Sequence, residues 1–71
     1  MIPVDSSLIK AIGYDKEKGE LIVQFKKGGE KYRYQDVPEN VWEQFKAAES
    51  TGKFFLANIK GAFGYTKVEG A

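Results

Sequence analysis

From Glu20 to Tyr34 the chain alternates apolar and polar positions with a period of two. Leu21, Val23 and Phe25 interleave with Glu20, Ile22 and Gln24, and Tyr32 and Tyr34 interleave with Lys31, Arg33 and Gln35. That period marks two half-buried strands. Gly28-Gly29 lies between them and supplies the positive φ values of a tight hairpin turn. Centring the loop on this pair makes facing residue numbers sum to about 57. Phe25 then opposes Tyr32, and Val23 opposes Tyr34. Leu21, Val23, Phe25, Tyr32 and Tyr34 share one face; Gln24, Lys31 and Arg33 share the other.

An earlier strand is predicted over Ser7 to Tyr14, joined to the hairpin by the polar turn Asp15-Lys16-Glu17-Lys18-Gly19. Its phase is open. Ile9 and Ile12 both point inward only if a bulge intervenes, and Gly13 is a position that could host one. Met1 to Asp5 reads as a loose arm.

After Tyr34 the period changes. Asp36-Val37-Pro38-Glu39 signals the start of a helix, with Pro38 in its first turn and Glu39 favoured by the dipole. Val41, Phe45 and Ala48 fall on one face, flanked by Trp42. Gly52 is a candidate left-handed cap. A second, shorter helix is predicted over Lys53 to Lys60, with Phe55, Leu56, Ile59 and Phe63 as its stripe and Gly61 as its stop. Gly64 to Ala71 reads as a weakly held tail, leaving an ordered core of about 6–63. The order β-β-β-α-α predicts a single α+β domain. A three-stranded antiparallel sheet carries two helices on one face and leaves the other face open.

Composition narrows the chemistry. Seventy-one residues contain no cysteine and no histidine. Disulfides and thiolate metal sites are excluded, and the commonest metal ligand and neutral-pH acid–base group are missing. Ser6-Ser7 has no histidine to act as base, so a turn role is expected. Asp15, Glu17 and Glu20 do not have calcium-loop spacing. Lys18-Gly19 and Lys60-Gly61 are not phosphate loops. A non-catalytic chain without cofactor or metal is expected. No apolar run approaches the roughly 20 residues of a membrane span, no secretory leader is read at Met1, and the cytoplasm is the default compartment. The net charge of +1 is weaker than an electrostatically driven nucleic-acid binder needs.

The ordered series Val4-Asp5-Ser6-Ser7 with Ile9, Ile12-Gly13-Tyr14-Asp15, Leu21-Ile22-Val23-Gln24-Phe25, Gly28 or Gly29, Tyr32-Arg33-Tyr34, Val37-Pro38, Ala48-Glu49-Ser50, Gly52, Phe54-Phe55 and Ile59 resembles the KTSC domain. That module is named for its place at the C-terminus of some lysyl-tRNA synthetases and also occurs alone in bacteria and phages. The match spans about residues 4–65, and with no synthetase core attached the chain resembles the stand-alone form. The synthetase linkage suggests RNA as a partner.

Two binding surfaces follow. The first is nucleic-acid binding on the open sheet face by Lys31, Arg33 and Gln24, with Lys10 and Lys26 beside them and Lys27 in the adjoining turn. Tyr34 or Tyr14 would supply a ring at the rim. Against it, a polar open face is what solubility requires, and the register puts Tyr32 and Tyr34 on the covered side. The second is a protein partner or self-association, through a strand edge or an apolar patch of Trp42 and Phe54. Trp42 next to Val41 and Phe45 is read first as the edge of the core.

Overall fold

A computed structural model describes residues 1–68. The sheet has five strands rather than three: β1 (Ile2–Pro3), β2 (Ile9–Asp15), β3 (Glu20–Phe25), β4 (Lys31–Tyr34) and β5 (Tyr65–Val68). Each pairs antiparallel with the next in sequence, giving a simple meander. The presumed arm and tail are therefore its two outer strands. The four described residues of β5 continue the alternation of β4, and backbone pairing holds Tyr65 opposite Tyr34 and Lys67 opposite Tyr32. The last three residues of the expected tail lie outside the described residues.

The hairpin register is shifted by two residues from the expected one. Val23 faces Tyr32 and Leu21 faces Tyr34, and the Phe25 N–H donates to the Glu30 carbonyl at 2.8 Å. Lys26 and Lys27 thus join the two glycines in a longer loop. Because the shift is even, each side chain keeps its predicted face. In β2 the bulge falls at Lys10 and not at Gly13: Ile9 pairs with Phe25 while Ala11 pairs with Gln24. The extra residue turns Lys10 outward and lets Ile9 and Ile12 both be buried. The Ser6 hydroxyl accepts from the Leu8 and Ile9 N–H groups and shapes the approach to this strand.

Helix α1 (Glu39–Ala47) starts after Pro38, which sits one place before the first turn. It buries Trp42 and Phe45. The expected glycine cap at Gly52 is a different feature. Ala48 ends α1 in an extended conformation, and Ser50 caps a new helix by accepting from the Lys53 N–H. Gly52 lies inside that helix where it crosses the β2 approach: a Cβ there would stand 3.2 Å from the Ser6 hydroxyl oxygen. Helix α2 (Thr51–Phe54) runs directly into a wider π turn over Phe55–Ile59. The Lys60 N–H reaches back to the Phe55 carbonyl to close that turn. Widening places both Phe55 and Ile59 in the core and leaves Leu56, expected on the apolar stripe, outside it. Gly61 then adopts φ +81°, ending the helical run as predicted.

The core lies between the sheet and the helices. Ile9, Ile12, Leu21, Val23, Val37, Phe45 and Ile59 are fully buried. Across the outer face run Ala11, Gln24, Lys31 and Val68 in one row and Gly13, Ile22, Arg33 and Thr66 in the next.

Candidate binding groove

The inner face of the sheet is covered unevenly. α1 covers the β2 side, where the Trp42 ring stacks on Tyr14 at 5.5 Å. The Tyr14 hydroxyl donates to the Val37 carbonyl. The π turn covers the middle: Phe55 meets Phe25 and Tyr34 edge-on at 5.4 and 5.6 Å. Beyond Phe55, toward β5, the cover stops. There a groove of about 350 Å³ opens between the π turn and the outer strands. That volume is at the lower end of small-ligand sites.

Its floor is aromatic because the register stacks rings from adjacent strands. Tyr65 lies parallel to Tyr32, with centroids 5.4 Å apart and planes 10° from each other. It also leans on Tyr34 at 5.3 Å. Three large apolar side chains remain exposed at the groove: Leu8 at 37%, Leu56 at 53% and Tyr65 at 59%. Lys27, Lys60 and Glu30 complete the lining. Glu30 accepts from Lys67 at 3.1 Å and from the Tyr32 hydroxyl at 3.4 Å, so its charge is engaged. Leu8 and Leu56 also border a second, more polar depression of about 300 Å³ containing Asp5, Ser7, Glu49 and Lys53.

Tyr34 forms part of the floor and is 3% exposed. Burial, followed by the Tyr65 and Tyr32 phenols, raises its pKa from 10.0 to about 12. In the unfolded chain this phenol ionises near the ordinary value, so folding is unaffected by it below pH 10 and loses stability as the pH climbs from 10 toward 12. A spectrophotometric titration should show one late tyrosine step that Tyr34→Phe abolishes.

The two buried-face phenols differ in their partners. Tyr14→Phe loses the bond to Val37 and strands a carbonyl, and should cost about 1 kcal/mol. The Tyr34 hydroxyl bonds to no described residue, so Tyr34→Phe should be neutral or slightly stabilising. Paired urea melts of the two variants test the contrast.

The residues singled out from the sequence are dispersed. Lys31, Arg33 and Gln24 do share the open face. The Gln24 amide, however, donates to the Gly29 carbonyl at 3.2 Å. The Arg33 Nε sits 3.6 Å from a Glu20 oxygen, where the two form an ion pair. Lys10 projects from the bulge and Lys26 follows β3. Lys27 lines the groove on the opposite side. Tyr34 belongs to the floor rather than to any rim of the open face, and Tyr14 is under Trp42. Trp42 is 8% exposed, with Lys46 Nζ 5.2 Å from its ring centroid. Phe54 stacks on Phe45 at 5.5 Å. Trp42 is buried and Phe54 half-buried against the core, so the pair does not present the exposed apolar patch expected of it. Tyr65, Leu8, Leu56 and Lys60 had not been singled out as site residues. The run Tyr65-Thr66-Lys67-Val68 after Gly64 carries a strand signal in its aromatic and β-branched residues.

Among the described residues no group of three acidic side chains could hold a metal, and no helix is long and apolar enough to cross a membrane.

A five-stranded meander roofed by a short helical pair belongs to the class of small two-layer α+β domains. Within that class, this chain belongs to the KTSC domain family, whose model matches residues 5–63. It is similar to a protein of Tsukamurella paurometabola, 44% identical over 63 residues that cover 89% of this chain and 92% of that one. It is also 37% identical over 54 residues to an uncharacterized protein of Stutzerimonas stutzeri, covering 76% of this chain and 75% of the other. The crystal structure of a KTSC domain protein from Yersinia pestis superposes with a TM-score of 0.89 at 44% identity, over 93% of this chain and 92% of that chain.

Proposed function

We propose that this protein is a small non-catalytic binding module that takes an extended segment of a partner protein at the groove beside β5. The observation that carries this reading is the convergence of Leu8, Leu56 and Tyr65, three of the five large exposed apolar side chains among the described residues, on one aromatic groove. Among the described residues β5 has no neighbour beyond it in the strand order. A segment added along that edge would gain backbone hydrogen bonds, and its alternate side chains would face the groove. With Glu30 engaged, Lys27 and Lys60 leave the lining positive, which suits a segment carrying negative charge.

The test is selection from a random peptide library displayed on phage, followed by NMR titration of labelled full chain with the selected peptides. Shifts should concentrate on Tyr65–Val68 and Phe55–Lys60. Replacing both Leu56 and Tyr65 by alanine should weaken binding at least tenfold. Unchanged affinity in that double variant, or shifts confined to the open face, would refute the reading.

A second reading is RNA binding on the open face. It rests on Lys31 and Arg33 standing two residues apart on one face of β4, with Lys10 projecting nearby from the bulge. It predicts salt-sensitive binding of a mixed tRNA pool that charge reversal at Lys31 and Arg33 abolishes. Retained binding in that variant would eliminate it.

A further inference from the structure

The groove floor holds one polar group that the fold leaves unused. Tyr34 is almost wholly buried, yet its hydroxyl has no hydrogen-bond partner among the described residues, unlike those of Tyr14 and Tyr32. Among the described residues the one buried side-chain polar atom left without a hydrogen-bond partner is Arg33 Nε, so the Tyr34 hydroxyl meets solvent, and the groove is the cavity that its ring lines. Its raised pKa keeps it protonated, and so a donor, throughout the physiological range. Phe55 and Tyr65 fix the ring from two sides, so the donor is held in place.

We infer that Tyr34 is the specificity-determining donor of the groove, and that the bound segment is the C-terminal end of a partner chain: a large apolar last side chain packed between Leu56 and Tyr65, and its terminal carboxylate received by the Tyr34 hydroxyl and Lys60. This rests on the groove reading above and names the part of the segment that enters. Three features favour a chain end. The groove is small, about 350 Å³, at the lower end of ligand-site volumes. Its lining is largely apolar, with the Tyr34 hydroxyl unpartnered and Lys27 and Lys60 as its basic groups. Its free charge is positive, because Glu30 is already bonded to Lys67 and Tyr32. A carboxylate next to an apolar group satisfies all three, as in known modes of carboxylate capture beside an edge strand.

The experiment is an NMR titration of the labelled full chain with an acetylated tetrapeptide of three alanines and a final phenylalanine, as free acid and as amide, and with 3-phenylpropionate. The free acid should bind at least tenfold more tightly than the amide, moving both the groove and the β5 amides. Tyr34→Phe should bring the two peptides within twofold of each other, and Lys60→Gln should narrow the gap. Equal binding of acid and amide at the groove would overturn the carboxylate assignment and leave the groove reading standing. A gap between acid and amide that survives Tyr34→Phe would overturn the role of Tyr34. Tight binding of 3-phenylpropionate with no movement of β5 would reassign the site to a free aromatic acid. No groove shift with any of the three would count against the inference and the groove reading together. Because Tyr34→Phe removes only an unpartnered hydroxyl, loss of folding does not confound the result.

Discussion

Phe45→Ala is expected to remove most of the stability of this fold. Phe45 is fully buried and the largest such side chain in the protein. It lies in the core cluster with Val37, Trp42 and Ile59, and its ring stacks on Phe54. It therefore fastens α1 to both the sheet and α2. Truncating a buried phenylalanine to alanine costs roughly 3–5 kcal/mol through lost transfer energy and the cavity left behind. A domain of this length has only about 4–11 kcal/mol in total. Thermal melts by circular dichroism should show the midpoint falling by roughly 15–25 °C, or no folded baseline at all. Leu56→Ala is the control. That side chain is exposed at the groove, and its loss should move the midpoint by no more than about 3 °C. A small shift for Phe45→Ala would mean that α1 contributes little to the core.

The second large effect concerns β5. Ending the chain after Gly64 removes the strand that pairs with Lys31–Tyr34 and the ring that stacks on Tyr32 and Tyr34. The ladder hydrogen bonds and the partly buried Tyr65 ring together should be worth roughly 2–3 kcal/mol after the regained chain entropy is subtracted. The expected fall in midpoint is roughly 10–20 °C. A second readout is specific to the geometry. Tyr34 would lose both part of its burial and the neighbouring Tyr65 phenol, so its pKa should drop back toward 10.0 from about 12. A truncated chain that melts like the full one, with its late tyrosine step intact, would show that β5 behaves as the tail the sequence suggests.

That contrast shows where sequence reasoning reached and where it stopped. The face of every side chain in β3 and β4 was legible, because alternation has a period of two and an even shift of register cannot invert it. The shift itself was not legible. Gly28-Gly29 invited a two-residue loop, but pairing of the Phe25 N–H with Glu30 drew Lys26 and Lys27 into the turn and sent Lys27 to the groove side. A need for a bulge in β2 could be deduced from Ile9 and Ile12. Its position at Lys10 depended on how β2 lay against β3.

The family resemblance was carried by residues within the core of the domain, and the family model likewise matches residues 5–63. Tyr65 lies beyond the family model's match, and the residues that carried the resemblance end at Ile59, so none of them pointed to it. Tyr32 and Tyr34 could be placed on the covered face from sequence, which weakened their candidacy as base-stacking rings on the open side. What could not be read was that the cover ends at Phe55, because this depends on the π turn and on β5 arriving beside β4 from 31 residues later.

The sequence by itself determined the α+β class, the partition of the central hairpin into two faces, the amphipathic first helix and the lack of histidine and cysteine chemistry. These follow from local periodicity and composition, which the chain carries wherever it is placed. Only the tertiary structure decided that both ends of the described chain are strands, that Trp42 and Phe54 pack in or against the core, and that Leu8, Leu56 and Tyr65 meet. The physical reason is that short edge strands have little propensity of their own and form when a neighbour offers unpaired backbone groups. A groove likewise belongs to no single segment: it is the space left where two elements, each satisfied elsewhere, fail to meet.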